Sequence, residues 1–157
     1  MEEAMTDLLS TTISLITKQD TIVEWRDIWS INRLLTQLSK SFVCMSGTTL
    51  RSYLQRTSAF VYVARPEICG DIIGILTLNI FETLTGRQGA IDDVVVDTNY
   101  RGLGIGERLM LRAIEHAREA DCHKIVLSSA AHRNAGRSLY EKLGFERKDT
   151  YFELHLK

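Results

Sequence analysis

The chain has 157 residues, a formal net charge of −1, 45% apolar residues and 25% charged ones. That length suits a single domain over 1–157, and a domain of this size buries about 68–70% of the surface its unfolded chain exposes, enough for a core without disulfides or metal. A near-neutral charge speaks against nucleic acid or an anionic membrane as the main partner, because both call for a basic face.

Glu2, Glu3 and Asp7 stand where a signal peptide would carry positive charge, and the run Leu8–Ile16 is interrupted by Ser and Thr. No targeting or membrane segment is expected. Residues 11–17 (TTISLIT) predict a first strand. Thr21-Ile22-Val23-Glu24 fits a capping box, in which Thr takes one orphan N–H and Glu reaches back to another. Trp25, Ile28, Trp29, Leu35 and Leu38 follow at helical spacing, which predicts a helix over about 20–39 with these residues in the core. A shorter helix is expected from Thr49 to Arg56, carrying Leu50, Tyr53 and Leu54. Phe60–Ala64, Ile72–Phe81 and Gln88–Asp97 predict three strands of an antiparallel meander, with Pro66 and Gly70 in its first turn. A loop over 98–103 leads into a helix from Gly104 to Ala120, whose apolar face is Ile105, Leu109, Ala113, Ile114 and Ala117. Lys124–Ser129 is a strand and Asn134–Leu143 a helix, with Gly144 as its left-handed cap and Phe145 as the hydrophobic contact after it. Arg147–Leu156 is expected to close the chain as one or two strands.

The third meander strand, the helix at 104 and the strand at 124 form a β–α–β unit, whose two strands run parallel. The fold class is therefore α/β, with a mixed, mostly antiparallel sheet and helices on both faces. Cys44, Cys69 and Cys122 are odd in number and form no CxxC pair, which fits a reduced chain in the cytoplasm. His116, His123, His132 and His155 lack ligand spacing, so no metal is expected.

The most informative segment is Asp92-Asp93-Val94-Val95-Val96-Asp97-Thr98-Asn99-Tyr100-Arg101-Gly102-Leu103-Gly104-Ile105-Gly106. A strand enters a glycine turn and the turn opens a helix. Glycines allow turn conformations and close approach to a ligand. The first helical N–H groups lack internal partners and the dipole adds positive potential, so this end accepts phosphate, with Arg101 adding a charge. The spacing is neither the Rossmann GxGxxG nor a P-loop with GKS or GKT.

Arg101-x-x-Gly104-x-Gly106 at the start of a helix resembles the (Q/R)-x-x-G-x-(G/A) signature of the GNAT superfamily of acyl-CoA-dependent N-acyltransferases. Leu139-Tyr140-Glu141-Lys142-Leu143-Gly144-Phe145 is similar to a second segment of that family, and the order of elements agrees over nearly the whole chain. Ile91–Asp97 also resembles the corresponding strand of glucosamine-6-phosphate N-acetyltransferases. The resemblance implies a GNAT fold, acetyl-CoA as co-substrate and an amine as acceptor. It implies that the pyrophosphate lies on the N–H groups of Gly102, Leu103, Gly104, Ile105 and Gly106 beside Arg101. The pantetheine arm would pair with the backbone of Val94, Val95 and Val96 where the two parallel strands splay. A β-bulge in that strand would turn a backbone N–H toward the thioester oxygen. The family often has Asn seven residues before the tyrosine. Here Arg133 holds that position and Asn134 follows, so either could meet the cofactor.

Acetyl transfer to an amine poses two proton problems: an ammonium of pKa near ~10 must lose a proton, and the departing thiolate must gain one. The resemblance makes Tyr140 the acid. Read without it, Tyr140 is an amphipathic tyrosine packed between Leu139 and Leu143. Asp92 and Asp93 are the candidates for binding and deprotonating the ammonium. Neighbouring strand residues point to opposite faces, so only one should face the site unless a bulge intervenes, and Asp93 is preferred. The competing class is a non-catalytic acyl-CoA-binding regulatory module, which would keep the glycine loop without a working acid. The acceptor stays open among aminosugars, aminoglycosides, polyamines, amino acids and protein amines. A homodimer is expected, because Tyr151–Leu156 alternates like a strand whose apolar edge needs a cover.

Overall fold

Five strands lie side by side in chain order, and each takes its place from a pattern visible in the residues. In this computed structural model the described residues are 10–17, 24–67, 70–130, 133–148 and 154. The strands are β1 (Thr11–Ile16), β2 (Ala59–Pro66), β3 (Gly74–Thr83), β4 (Gly86–Val96) and β5 (Lys124–Leu127), and the helices are α1 (Trp25–Leu38), α2 (Gly47–Arg56), α3 (Ile105–Glu119) and α4 (Asn134–Lys142). The pairings β1–β2, β2–β3 and β3–β4 are antiparallel, while β4 and β5 are parallel with α3 between them in sequence. The expected mixed sheet and its β–α–β unit are therefore present.

Alternation along the strands divides the core in two. Val61 and Val63 of β2 and Ile75 of β3 pack with Ile31, Leu34 and Leu35 of α1 and Leu50 and Leu54 of α2. Tyr62 and Ala64 of β2 and Leu76 and Leu78 of β3 face the other way, onto Ile105, Leu109, Met110, Ala113 and Ala117 of α3, with Leu139 and Tyr140 of α4 at the edge. Gly74 lets α3 approach the sheet, because a Cβ there would stand 3.2 Å from both Ile105 Cγ2 and Leu109 Cδ1. The start of α3, which opens from the glycine turn, is thus seated directly on β3.

Three local expectations are corrected. Trp25 and Trp29 do not lie in the core: they are 81% and 54% exposed, and the buried stripe of α1 is Ile31, Leu34 and Leu35. Trp29 instead carries the Arg33 guanidinium 5.2 Å from its ring centroid. Second, α1 begins at Trp25 with Glu24 as N-cap, and that residue makes no side-chain cap hydrogen bond. The Thr21 end of the expected capping box lies outside the described residues. Third, α2 starts at Gly47 rather than Thr49, because Ser46 is the cap and its Oγ accepts from Thr49 N–H at 3.0 Å. The closing strands expected over 147–156, and the dimer surface expected with them, lie outside the described residues apart from 147, 148 and 154, none of which is in a strand. Among the described residues no helix is long and apolar enough to cross a membrane.

Candidate active site

The site is built around an irregularity in β4. Ile75 pairs with Val95 and Thr77 pairs with Asp92, so Leu76 alone faces two residues, Asp93 and Val94. This is a β-bulge, and its extra residue is Asp93, held in the left-handed region at φ 54. The bulge resets the alternation of the strand. Without it Asp92 and Asp93 would point to opposite faces. With it, both carboxylates meet β3 side chains that share one face: Thr77 Oγ1 donates to Asp93 Oδ2 at 3.2 Å and Asn79 Nδ2 donates to Asp92 Oδ2 at 3.1 Å. Beyond the bulge, Val94 and Val96 pack toward α3 and Val95 toward α1.

The parallel neighbour stops where the bulge begins. β5 pairs with β4 only from Gln88↔Lys124 to Ile91↔Leu127, whereas β4 continues to Val96. The edge of Asp92–Val96 that would face a longer β5 is therefore open, the splay that the family resemblance implied. Asp92, Asp93 and Val94 line a cleft of about 180 Å³ here, together with Ser128 and Ser129 just after β5, Arg133 and Tyr140. Arg133 Nη2 donates to the carbonyl of Leu38 at 2.7 Å, which fastens the approach to α4 onto the end of α1. Asn134 is exposed and its Oδ1 accepts from Arg137 Nη2 at 2.8 Å. Of the two residues left open by the sequence, Arg133 is the one in the cleft.

Just past the same end of β4, after the 3-10 turn Thr98–Tyr100, the glycine turn presents an open cradle. Gly102 and Gly104 have φ 80 and φ 76, and an added Cβ at either would meet nothing within 4 Å. The backbone there is exposed to a ligand, and the first N–H groups of α3 lie beside it without intrahelical partners. These features fit an anion such as a pyrophosphate. Gly106 serves packing, since its Cβ would stand 3.4 Å from Leu139 Cδ2. The Ile105 side chain is core, only 2% exposed, and Leu103 packs at its edge, so these two offer a ligand their N–H groups alone. Arg101 turns its Nε onto the carbonyl of Val96 at 3.1 Å, leaving its terminal nitrogens for an anion.

The electrostatics separate the titrating groups. Asp93 reaches solvent through the cleft mouth, yet the protein around it desolvates the carboxylate. That desolvation, with Asp92 beside it, raises its pKa against the lowering effect of the Thr77 hydroxyl. Tyr140 is pushed above the ordinary phenol range by burial, partly offset by the Arg133 charge. One group is moved toward the pH at which a base works, and the other is kept protonated well past neutrality. Tyr53 of α2, assigned from sequence to the core stripe, also stands by this site. Its pKa is raised by burial and then by Asp93, against the lowering effect of the Asn79 amide.

Sequence reasoning missed Tyr53, Asn79, Ser128 and Ser129. Only the abrupt Ser-Ser after an apolar strand could have signalled the last two. A larger groove, about 760 Å³, runs between β1 and α3 past Thr12, Arg108 and Leu111; it holds none of the candidate residues. Among the described residues no cluster of three or more His, Cys, Asp or Glu is placed to hold a metal.

Comparison with known proteins gives the family and the fold. Residues 23–145 match the Acetyltransferase (GNAT) family. The chain belongs to the GNAT acetyltransferase family. A glucosamine 6-phosphate N-acetyltransferase of Trypanosoma brucei brucei is 39% identical over 141 residues, covering 86% of this chain and 93% of the relative. The crystal structure of a Trypanosoma brucei acetyltransferase superposes with a TM-score of 0.76 at 28% identity, covering 93% of this chain and 99% of that one. A predicted acetyltransferase of Clostridium acetobutylicum, solved with acetyl-CoA, shares the fold at a TM-score of 0.67 and 23% identity, over 93% of this chain and 96% of its own. As a GNAT enzyme the protein is an acetyl-CoA-dependent N-acetyltransferase, which removes the non-catalytic module as a reading.

Proposed function

We propose that this GNAT enzyme acetylates the amine of glucosamine 6-phosphate, with Asp93 as base and Tyr140 as acid. The observation that carries the proposal is the bulge at Asp93, which turns two carboxylates into the cleft that Tyr140 also lines. Acetyl-CoA supplies the acyl group as a thioester. Gly102–Gly106 and Arg101 would hold its pyrophosphate, and the open edge of Val94–Val96 its pantetheine arm.

The carboxylate pair attracts the ammonium of the acceptor. Asp93, raised toward neutrality, takes the proton from the nitrogen, while Asp92 stays paired to Asn79 and keeps the local charge negative. Tyr140 Oη supplies a proton to the departing sulfur, and the second proton that the nitrogen sheds as the amide forms restores the phenol, which stays protonated throughout the neutral range when its pKa is raised. A backbone N–H freed by the bulge would stabilise the developing oxyanion, a contribution of roughly 2.7–4 kcal/mol for one well-placed donor.

Two features support the acceptor. The trypanosomal relative that shares 39% identity is named for acetylation of this sugar phosphate. The cleft also offers what such a molecule needs: carboxylates for its ammonium, Ser128 and Ser129 for its hydroxyls, and Arg133 for its phosphate. The test is thiol release from acetyl-CoA with a panel of amines: glucosamine 6-phosphate, glucosamine, an aminoglycoside, spermidine and a peptide with a free N-terminus. Glucosamine 6-phosphate should give the highest kcat/KM. Removing its phosphate should lower that value by roughly 10- to 150-fold, the worth of one hydrogen bond to a charged group (about 1.5–3 kcal/mol). Equal rates with glucosamine and its phosphate, or a preference for the peptide, would overturn the assignment of the acceptor.

A further inference from the structure

A turn built on two glycines, Gly102 and Gly104, is free to move, and an array of N–H groups binds an anion well only if it is held in place beforehand. The structure shows what holds it. Asp97 directly follows β4 and is only 1% exposed. Its Oδ1 accepts the N–H of Asn99 at 3.0 Å, which starts the 3-10 turn Thr98–Tyr100 leading into the glycines. Its Oδ2 receives Arg33 Nη1 at 2.9 Å and Gln37 Nε2 at 3.4 Å, both from α1. Gln37 also reaches the next residue, and its Oε1 accepts the Thr98 N–H at 3.1 Å and the Thr98 hydroxyl at 2.8 Å. Arg33 and Gln37 are four residues apart, one above the other on the same helical face. They grip two consecutive residues of the turn from a helix sixty residues earlier in the chain.

We infer that Arg33 and Gln37 are positioning residues for acetyl-CoA, fixing through Asp97 and Thr98 the turn whose N–H groups take its pyrophosphate. The inference rests on the reading of residues 101–106 as the phosphate cradle. Arg33 is committed to this task. Its Nη1 meets the carboxylate and its plane lies over Trp29, while its Nε is buried with no partner among the described residues. The carboxylate it meets is buried, and such a charge is costly to leave unpaired. Losing Arg33 should therefore change the turn as well as the charge.

The experiment compares Arg33→Met, Arg33→Lys and Gln37→Leu with the wild type. Acetyl-CoA affinity is read by calorimetry, and the single-turnover rate is read at saturating acetyl-CoA. Arg33→Met should weaken binding by about tenfold or more, one factor of ten being 1.4 kcal/mol, while the saturated rate stays within about twofold. Gln37→Leu, a neutral change at an exposed position, should weaken binding several-fold, and Arg33→Lys should restore most of the affinity lost in Arg33→Met. A purely electrostatic role for Arg33 would leave Gln37→Leu silent, and that result overturns the inference. So would wild-type affinity in both folded variants, even with lowered melting temperatures. If Arg33→Met does not fold, Gln37→Leu decides alone. A wild type that gives no heat with millimolar acetyl-CoA removes the cradle reading and the inference with it, whereas a binding wild type with unaffected variants removes the inference only.

Discussion

Replacing Tyr140 by Phe isolates the proposed acid from everything else the side chain does. The ring sits edge-on to Phe145 with centroids 6.2 Å apart and packs beside Gly136, and Phe keeps both contacts. The hydroxyl has no protein partner among the described residues, so no internal hydrogen bond is lost and the melting temperature should barely move. What disappears is one proton donor in the cleft. A positioned acid contributes roughly 10²–10⁴ in rate, and a 10²-fold loss corresponds to about 2.7 kcal/mol of transition-state stabilisation. The assay is the single-turnover rate of acetyl transfer at saturating acetyl-CoA, measured for both proteins across pH 6.5–10.5, which separates chemistry from product release. Because burial raises the Tyr140 pKa, the phenol stays protonated through the lower part of this range, and the wild-type advantage should be constant up to about pH 9. Above that, as the wild type loses the proton through the raised pKa, the two curves should converge. Full turnover by Tyr140→Phe at pH 6.5–9 would show that the ring is only a packing element. An advantage that decays below pH 9 would contradict the desolvation assigned to the phenol.

The carboxylates and the cradle give three further tests. Asp93→Asn should lower kcat/KM by about 10²-fold or more and erase the acidic limb of its pH profile; Asn tolerates the left-handed backbone at φ 54, so the bulge survives. The same variant should melt no lower than the wild type at pH 7. A carboxyl whose folded pKa is raised above its unfolded value opposes folding once pH exceeds both, and the amide removes that cost. Asp92→Asn removes a like charge that helps raise Asp93, so the acidic limb should move to lower pH while the amine KM rises, both readable in one series of pH-dependent Michaelis curves. Gly104→Val puts a β-branched residue at φ 76 and fills the open space over the turn, and calorimetry should show acetyl-CoA affinity reduced by at least about tenfold.

What could be read from residues alone divides along a physical line. Signals carried by neighbours in sequence came through. The glycine turn and the apolar period after it placed α3 within a residue of Ile105–Glu119, and Gly144 takes φ 87 as the left-handed cap expected of it. The bulge too leaves a local trace. Ile91-Asp92-Asp93-Val94-Val95 doubles first the polar and then the apolar residue, a slip in a period-two pattern that an unbroken strand would expose as a buried carboxylate. Single residues misled where two local rules compete. Gly47 reads as a helix breaker, yet it follows a Ser46 cap that outweighs it. Ile72 and Ile73 read as strand because they are apolar, and both are buried, but the β3 ladder begins only at Gly74. Distant pairings were invisible for a different reason. Arg33 and Gln37 look like ordinary solvated positions on a helix, and Asp97 like a polar residue in a loop. Only the packing of α1 across the end of β4 turns them into an ion pair on a buried carboxylate and a two-point grip on the turn that leads into the glycines. In the proposed reading, the motif that marks the family thus specifies the shape the phosphate-binding backbone can take, while residues outside the motif hold it in that shape before acetyl-CoA arrives.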